Sequence, residues 1–115
     1  MTKDDEIIAL SVRHLLEGHR TVYVAANTGR MREVQDRIVT AAPAELIKRV
    51  YMSRGDEQIR ATNGAVLSFH SAKDPGPRGL SADVLLLDGV GDKVVEEALP
   101  LLAGSQVNEV HRWDS

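Results

Sequence analysis

The sequence predicts an α/β fold, a three-layer sandwich in which helices cover both faces of a mostly parallel sheet that also carries one β-hairpin. Two observations predict it. Amphipathic helical segments alternate with short β-branched strands, which is typical of right-handed crossovers onto a parallel sheet. The dipeptide Asn63-Gly64 lies between two strand-like runs and indicates a hairpin. We expect a single domain over residues 1–115.

Length and composition fit that domain and exclude several classes of protein. The chain has 115 residues, a net charge of −3 and four aromatic residues, so its core must be aliphatic. It has no cysteine, which excludes disulfides and thiolate metal sites. No apolar run approaches the roughly 18 residues of a membrane span. The N-terminus MTKDDEIIAL is acidic where a signal peptide is basic. We therefore expect a cytoplasmic protein without a membrane partner.

The first half of the chain predicts a helix, a strand and a second helix. DDEIIALSVRHLLEG places apolar residues at helical spacing and ends at Gly18. TVYVAA, residues 21–26, has the short β-branched character of a buried strand. Either Asn27 or Thr28 would then cap the helix RMREVQDRIVTAA, which Pro43 ends. A short helical turn is expected next, and LIKRVYMS fits either a helix or a strand.

The second half predicts a hairpin, a loop, a buried strand, a short helix and a final edge strand. The hairpin EQIRATNGAVLSFHS has a turn that suits type I′ geometry. AKDPGPRG, residues 72–79, is a loop because half of its residues are proline or glycine. Residues 84–87 are all apolar, which is typical of a central strand covered on both faces. Asp92 would cap the helix KVVEEALPLLAG, and Pro100 would distort its last turn.

Polar residues follow two of the predicted strands where those strands end. Asn27 and Thr28 follow the first strand, and Asp88 ends the apolar strand in LLLDGVGD. In α/β sheets, ligands bind outside the carboxyl ends of the strands. We therefore expect a functional site at this edge of the sheet.

The order of these motifs resembles the ATPase core of phage terminase large subunits and related helicases. VYVAANTGRMREVQDRI, TNGAVLSFHS and RGLSADVLLLD carry the resemblance, which covers about residues 5 to 103. It implies that Asp88 is the Walker B aspartate, which holds Mg²⁺ through a water. It also implies that Arg78 and Gly79 are the pair preceding that strand, and that Asn27 and Thr28 lie in a loop near nucleic acid.

The chain departs from that family at the residues that carry the chemistry. The catalytic glutamate would fall at Gly89, which has no side chain. The phosphate loop G-x-x-x-x-G-K-[ST] is expected before the first helix, where only MTKDD stands, and Lys3 has no glycine neighbours. Phosphoryl transfer depends on positioning and charge neutralisation. We therefore expect a degenerate Walker B strand, no nucleotide cofactor and no enzymatic activity.

Three functions remain as hypotheses. The first is a phage-derived, non-catalytic module that contacts a host or phage protein, or a second copy in a homodimer that covers the exposed sheet edge. The second is a nucleic-acid-binding accessory protein, because residues 20–60 hold eight basic and five acidic residues. The third is an ATPase whose phosphate loop comes from another chain. The candidate contacts to nucleic acid or a partner are Asn27, Thr28, Arg30, Arg32, Lys73 and Arg78, and local ion pairs of the arginines are the alternative.

Metal binding and nucleophilic catalysis are disfavoured. Asp83 precedes the apolar strand at the end opposite Asp88, so the carboxylates of Asp83, Asp88 and Asp92 should not converge. The histidines lack H-x₃-H spacing and should be surface or satisfied core residues; they are His14, His19, His70 and His111. Neighbouring residues on a strand point to opposite faces, which argues against a triad built from Ser68, His70 and Ser71.

Overall fold

The computed structural model describes residues 1–53, 55–72 and 80–114, and it confirms the α/β class. Over these residues the chain forms three α-helices and a six-stranded mixed sheet. The helices are α1 (Lys3–Leu16), α2 (Thr28–Ala41) and α3 (Asp92–Ala98). The strands are β1 (Arg20–Ala25), β2 (Ile47–Tyr51), β3 (Gln58–Ala61), β4 (Val66–Ser71), β5 (Val84–Asp88) and β6 (Glu109–Trp113). No helix in the described parts of the chain is long and apolar enough to cross a membrane.

Four neighbouring strands form the parallel part of the sheet. In the strand order β2-β3-β4-β1-β5-β6, β1 pairs in parallel with β4 and β5, and β5 pairs in parallel with β6. The last strand is therefore an edge strand, as predicted. Because these four strands run the same way, their carboxyl ends lie at one edge of the sheet, where the sequence predicts a site.

The antiparallel part confirms the hairpin but not its turn type. β3 pairs with β4, and β2 pairs with β3, so LIKRVYMS forms a strand after a short 3₁₀ turn. Ala61 N donates to Ala65 O at 2.9 Å, and Gly64 N donates to Ala61 O at 3.2 Å. Gly64 has φ 93°, whereas Asn63 does not have the positive φ that type I′ requires. The loop thus has three residues, a type I turn followed by a left-handed glycine.

Two apolar clusters separate the faces of the sheet. On the first face, α1 and α2 cover the sheet, with a core that includes Ile7, Tyr23, Met31, Ile38 and Leu86. On the second face, α3 and the 3₁₀ turn after it cover β1 and β5, with a core that includes Val22, Val24, Leu85, Leu87 and Ala98. This second cluster contains no residue of β2, β3 or β4 among the described residues. The predicted three layers are therefore found over β1 and β5.

Side-chain caps begin two of the helices. The Thr2 hydroxyl accepts the Asp5 N–H at 3.1 Å, and Asn27, not Thr28, caps α2. The predicted cap of α3 is wrong, because Asp92 is the first residue of that helix and makes no cap hydrogen bond. Its carboxylate instead accepts from Arg112 Nη2 at 2.8 Å.

Candidate functional site

The carboxyl edge of the sheet brings together the two segments that the sequence singles out. β1 and β5 end side by side, with Ala25 paired to Asp88. The first turn of α2 follows β1 closely and places Arg30 against Asp88. The first turn of α1 reaches the same edge through Lys3, which the sequence does not predict.

Within the described parts of the chain, three donors hold the carboxylate of Asp88, whose residue is only 2% exposed. Lys3 Nζ lies 2.9 Å from Oδ1, and Oδ2 accepts from the Tyr23 hydroxyl at 2.5 Å and from Arg30 Nε at 2.9 Å. Burial raises the pKa of Asp88, but the hydrogen bonds from Tyr23, Lys3 and Arg30 outweigh burial, so the pKa lies below its ordinary value. The carboxylate is ionised at neutral pH, and each oxygen has a cationic partner.

Arg30 also joins Asp88 to the first turn of α1. Its Nη2 donates to Asp4 Oδ1 at 2.6 Å, and Arg37 Nη1 donates to Asp4 Oδ2 at 2.6 Å. The hydrogen bond from Arg30 lowers the pKa of Asp4, and the bonds to Asp4 and then Asp88 raise the pKa of Arg30. The "Asp88 network" is hereafter the set Lys3, Asp4, Tyr23, Arg30, Arg37 and Asp88.

Gly89, the position expected for a catalytic glutamate, adopts a left-handed backbone conformation with φ 69°. Its N–H donates to the Trp113 carbonyl at 2.9 Å, which fixes the chain where β5 ends. A residue with a Cβ in this conformation costs about 1–2 kcal/mol. The backbone path itself therefore disfavours a glutamate here.

The predicted contact residues divide into several groups. Lys73 and Arg78, together with Gly79, lie outside the described residues. Asn27 is occupied as a helix cap, and Arg30 is occupied by Asp88 and Asp4. Thr28 is exposed, and Arg32 is half-exposed with its Nε 4.0 Å from a carboxylate oxygen of Glu57. Among the members of this set that the structure describes, only Arg30 joins the site at Asp88.

The aspartates considered as metal ligands do not converge. Asp83 lies at the amino end of β5, where it accepts from Arg20 N and the Ser105 hydroxyl, each at 2.9 Å. Asp92 pairs with Arg112, and Asp88 belongs to its own network. These carboxylates have separate structural partners.

Sequence reasoning missed two of the described residues that contact the Asp88 carboxylate, Lys3 and Tyr23. Lys3 is distant from Asp88 in sequence, so no local pattern links them. Tyr23 did carry a signal, because the hydroxyl of a tyrosine inside an aliphatic strand needs a partner when it is buried. Tyr23 is fully buried, and that partner is Asp88.

A second polar cluster joins the last turn of α1 to the start of β6. Glu109 Oε2 lies 2.6 Å from His14 Nε2 and 2.7 Å from His111 Nε2, and the Nδ1 atoms of His14 and His19 are 2.9 Å apart. A hydrogen bond from His111 lowers the pKa of Glu109, burial opposes it, and the bond from His14 adds to it. We call these four residues the histidine cluster. The sequence did not predict it, because 95 residues separate His14 from Glu109.

A basic surface lies on β2 and β3. Arg49 and Arg60 are paired across the two strands, and their guanidinium carbons lie 5.1 and 5.6 Å from the centre of the Tyr51 ring. Within residues 1–53, 55–72 and 80–114, neither arginine has a carboxylate partner within 4.0 Å. We call Arg49 and Arg60 the "arginine pair". Because like charges directly across two strands repel each other, an anion that contacts both cations would be favoured here.

Comparison of the chain with protein-family models, curated proteins and solved structures gives no match in any of the three. The resemblance to terminase ATPase cores therefore rests on the motifs quoted above. Function has to follow from the geometry of the Asp88 network, the histidine cluster and the arginine pair.

Proposed function

We propose that the chain is a non-catalytic, phage-derived domain, similar to the ATPases of terminases and helicases, that acts in the cytoplasm by contacting protein. The observation that supports this best is the neutralisation of Asp88 by Lys3 and Arg30, each at 2.9 Å. A Walker B aspartate has to face hydrated Mg²⁺. Here two fixed side-chain cations supply the charge that the metal ion would supply.

Recruiting Mg²⁺ would require these contacts to break. Asp88 is buried, and removing one partner of a buried ion pair costs about 3–5 kcal/mol when both charges are fully desolvated. The cost is smaller here because Lys3 is 35% exposed and Arg30 20% exposed. Gly89 adds a second obstacle, because its conformation disfavours a carboxylate residue. Phosphoryl transfer needs a metal-binding carboxylate and a catalytic glutamate at this strand. The carboxylate of Asp88 is blocked by its cationic partners, and the glutamate is missing at Gly89.

Among the described residues, β6 has no strand on its outer side. We propose this outer edge as the surface for protein contact. Glu109 N and the Trp113 carbonyl bond toward β5. Backbone groups alternate along a strand, so those of Val110 and Arg112 point away from the sheet. Val110 is also 41% exposed. An edge with unpaired backbone groups favours addition of another strand, and a second copy of the chain in a homodimer is the first partner to test.

Substitution at Val110 tests this contact. Val110→Pro removes the outward N–H without breaking a hydrogen bond to β5, whereas Val110→Thr keeps it. We expect sedimentation equilibrium to show a dimer for the wild type and Val110→Thr, and a monomer for Val110→Pro. A wild-type monomer would exclude the second copy as the partner, and an undisturbed Val110→Pro dimer would exclude the β6 edge.

Nucleotide addition tests the non-catalytic part of the proposal. We expect Mg-ATP to leave the thermal unfolding midpoint unchanged and to give no phosphate release above background. Ligands that bind only the folded state must raise its stability. Stabilisation by Mg-ATP would therefore contradict the proposal and support an ATPase completed by another chain.

Nucleic-acid binding is a second candidate function, and the arginine pair favours it. Two guanidinium groups that lie over the half-buried Tyr51 ring form a cationic surface for the phosphates of a single strand. Phosphate contacts release counterions, so affinity should fall with salt.

The double variant Arg49→Gln/Arg60→Gln tests this second function against single-stranded DNA. Loss of two phosphate contacts should lower the salt slope by about 0.7 per contact. Arg32→Gln is the matched control on α2, where the sequence predicted a contact. If the dependence of affinity on salt changes with Arg32→Gln and not with the double variant, the phosphate contacts lie on α2. If the wild type shows no salt-dependent binding, this second function is wrong.

A further inference from the structure

We propose that His14, Glu109 and His111 form a binding site for a divalent transition-metal ion of the Zn²⁺ type. The three side chains come from two elements, the last turn of α1 and the start of β6. Their donor atoms all lie within 4.8 Å of one another. This inference goes beyond the proposed function, because the ligands are side chains that meet α1, whereas the proposed protein contact uses outward backbone groups of β6.

The geometry needs little change to accept an ion. Glu109 Oε2 is 2.6 Å from His14 Nε2 and 2.7 Å from His111 Nε2. Bonds of about 2.1 Å to a tetrahedral ion place neighbouring donor atoms about 3.4 Å apart. Each imidazole nitrogen therefore has to move away from Glu109 Oε2 by less than about 1 Å to admit the ion. Glu109 and His111 are two residues apart on β6, so their side chains share the face that meets α1.

The donor set suits zinc chemistry. Two imidazoles and one carboxylate are a known ligand combination for Zn²⁺ that leaves a fourth position open to water or another ligand. His111 is 31% exposed and Glu109 27% exposed, which gives an ion access from solvent. His14 is fully buried and anchors the site in the core.

His19 is the positioning residue for His14. Its Nδ1 lies 2.9 Å from His14 Nδ1, so it can accept the proton on that atom and leave His14 Nε2 free to bind the metal. Hydrogen bonds of this kind fix the tautomer and ring orientation of metal-binding histidines. The site thus has an outer partner as well as three ligands.

A competing triad, His14 with Glu17 and His19, is less suited to a metal. Its donor atoms also lie within 4.8 Å of one another. However, Glu17 Oε1 already accepts from Arg13 Nε at 2.7 Å, and the Glu17 side chain is 40% exposed. An ion there would compete with a guanidinium group for the same carboxylate, whereas the donors of Glu109 are imidazoles that can exchange a proton for a metal ion.

Metal titration of the EDTA-treated, full-length chain tests the proposal. We expect one Zn²⁺ per chain by isothermal titration calorimetry, and Co²⁺ to give the intense visible absorption of a tetrahedral site. His111→Asn and Glu109→Gln should lower Zn²⁺ affinity by more than the roughly 10–100-fold that loss of an outer partner costs. His19→Asn should lower it by about 10-fold, and Glu17→Gln should leave it unchanged.

Two controls keep the test decisive. Circular dichroism should show that His111→Asn is folded, since His111 is partly exposed, and Glu109→Gln provides a second variant that retains an acceptor oxygen. The absence of Zn²⁺ and Co²⁺ binding by the wild type would overturn the site. So would a loss of affinity in Glu17→Gln that equals the loss in His111→Asn, because it would assign the metal to the competing triad.

Discussion

Helix α1 makes polar contacts at both edges of the sheet, and the two ends differ in kind. Its first turn supplies Lys3 and Asp4 to a network in which every carboxylate faces a permanent cation. Its last turn supplies His14 to a cluster in which one carboxylate faces two imidazoles. The first end is closed to an added cation by charge, and the second is open to one.

This difference shows why an aspartate at the end of a buried strand is weak support for catalysis. Asp88 stands where the family resemblance places a metal-binding residue, yet Lys3, Arg30 and Tyr23 occupy its oxygens. Glu109 has no such family role, yet its partners can exchange a proton for a metal ion. The neighbours of a carboxylate, more than its place on a strand, decide what it can bind.

The largest expected effect comes from Asp88→Ala. The substitution leaves Lys3, Arg30 and the Tyr23 hydroxyl without their common partner, so we expect a loss of about 2–3 kcal/mol in the free energy of unfolding. Urea denaturation measures it, and Asp36→Ala, an exposed aspartate of α2, is the control, with an expected change within about 0.5 kcal/mol. If the wild type had an ATPase rate that Asp88→Ala abolished, Asp88 would be catalytic. The view that its end of α1 is closed to a metal ion would then be wrong.

A smaller effect is expected from acid. The folded-state pKa of Asp88 lies below its unfolded value of about 3.9, because hydrogen bonds from Tyr23, Lys3 and Arg30 outweigh burial. Its stabilising contribution is therefore complete above about pH 4 and is lost as the pH falls through the folded-state pKa. The stability difference between the wild type and Asp88→Asn should be constant near neutral pH and should shrink below about pH 4. If this stability difference grew as the pH fell, the pKa of Asp88 would be raised and not lowered in the folded state. That result would contradict the ion pairs that we describe at Asp88.

The sequence predicted the elements that depend on local pattern. The apolar run at residues 84–87 forms a fully buried strand, and Asn63-Gly64 lies in a hairpin loop. The turn type was wrong because the loop closes between Ala61 and Ala65, and dipeptide preference does not fix loop length. Asp92 did not cap α3, because the helix begins at Asp92 itself and Gly91 takes the cap position.

The candidate sites were less predictable because their contacts are distant in sequence. Local sequence pattern predicted Asn27 as a candidate helix cap and Asp88 at the end of a strand, and the structure has both. The pairing of Lys3 with Asp88, and of His14 with Glu109, depends on how α1 lies across the sheet. Periodicity predicts which face of a helix is buried, but it does not predict which strand end each turn reaches.

The smallest expected effect is the coupling between the two ends of α1. Lys3 and His14 are about 16 Å apart along a helix that rises 1.5 Å per residue, and substitutions farther apart than 7–10 Å usually add within about 0.5 kcal/mol. If the histidine cluster binds Zn²⁺, the ion should raise the unfolding free energies of the wild type and Asp88→Ala by equal amounts within that limit. Urea denaturation with and without Zn²⁺ measures both increments, and Asp88→Ala/His111→Asn, which lacks a metal ligand, should show a far smaller increment. Increments that differ by more than about 1 kcal/mol would mean that α1 transmits changes between its ends, and the closed and open ends would then have to be treated as one site.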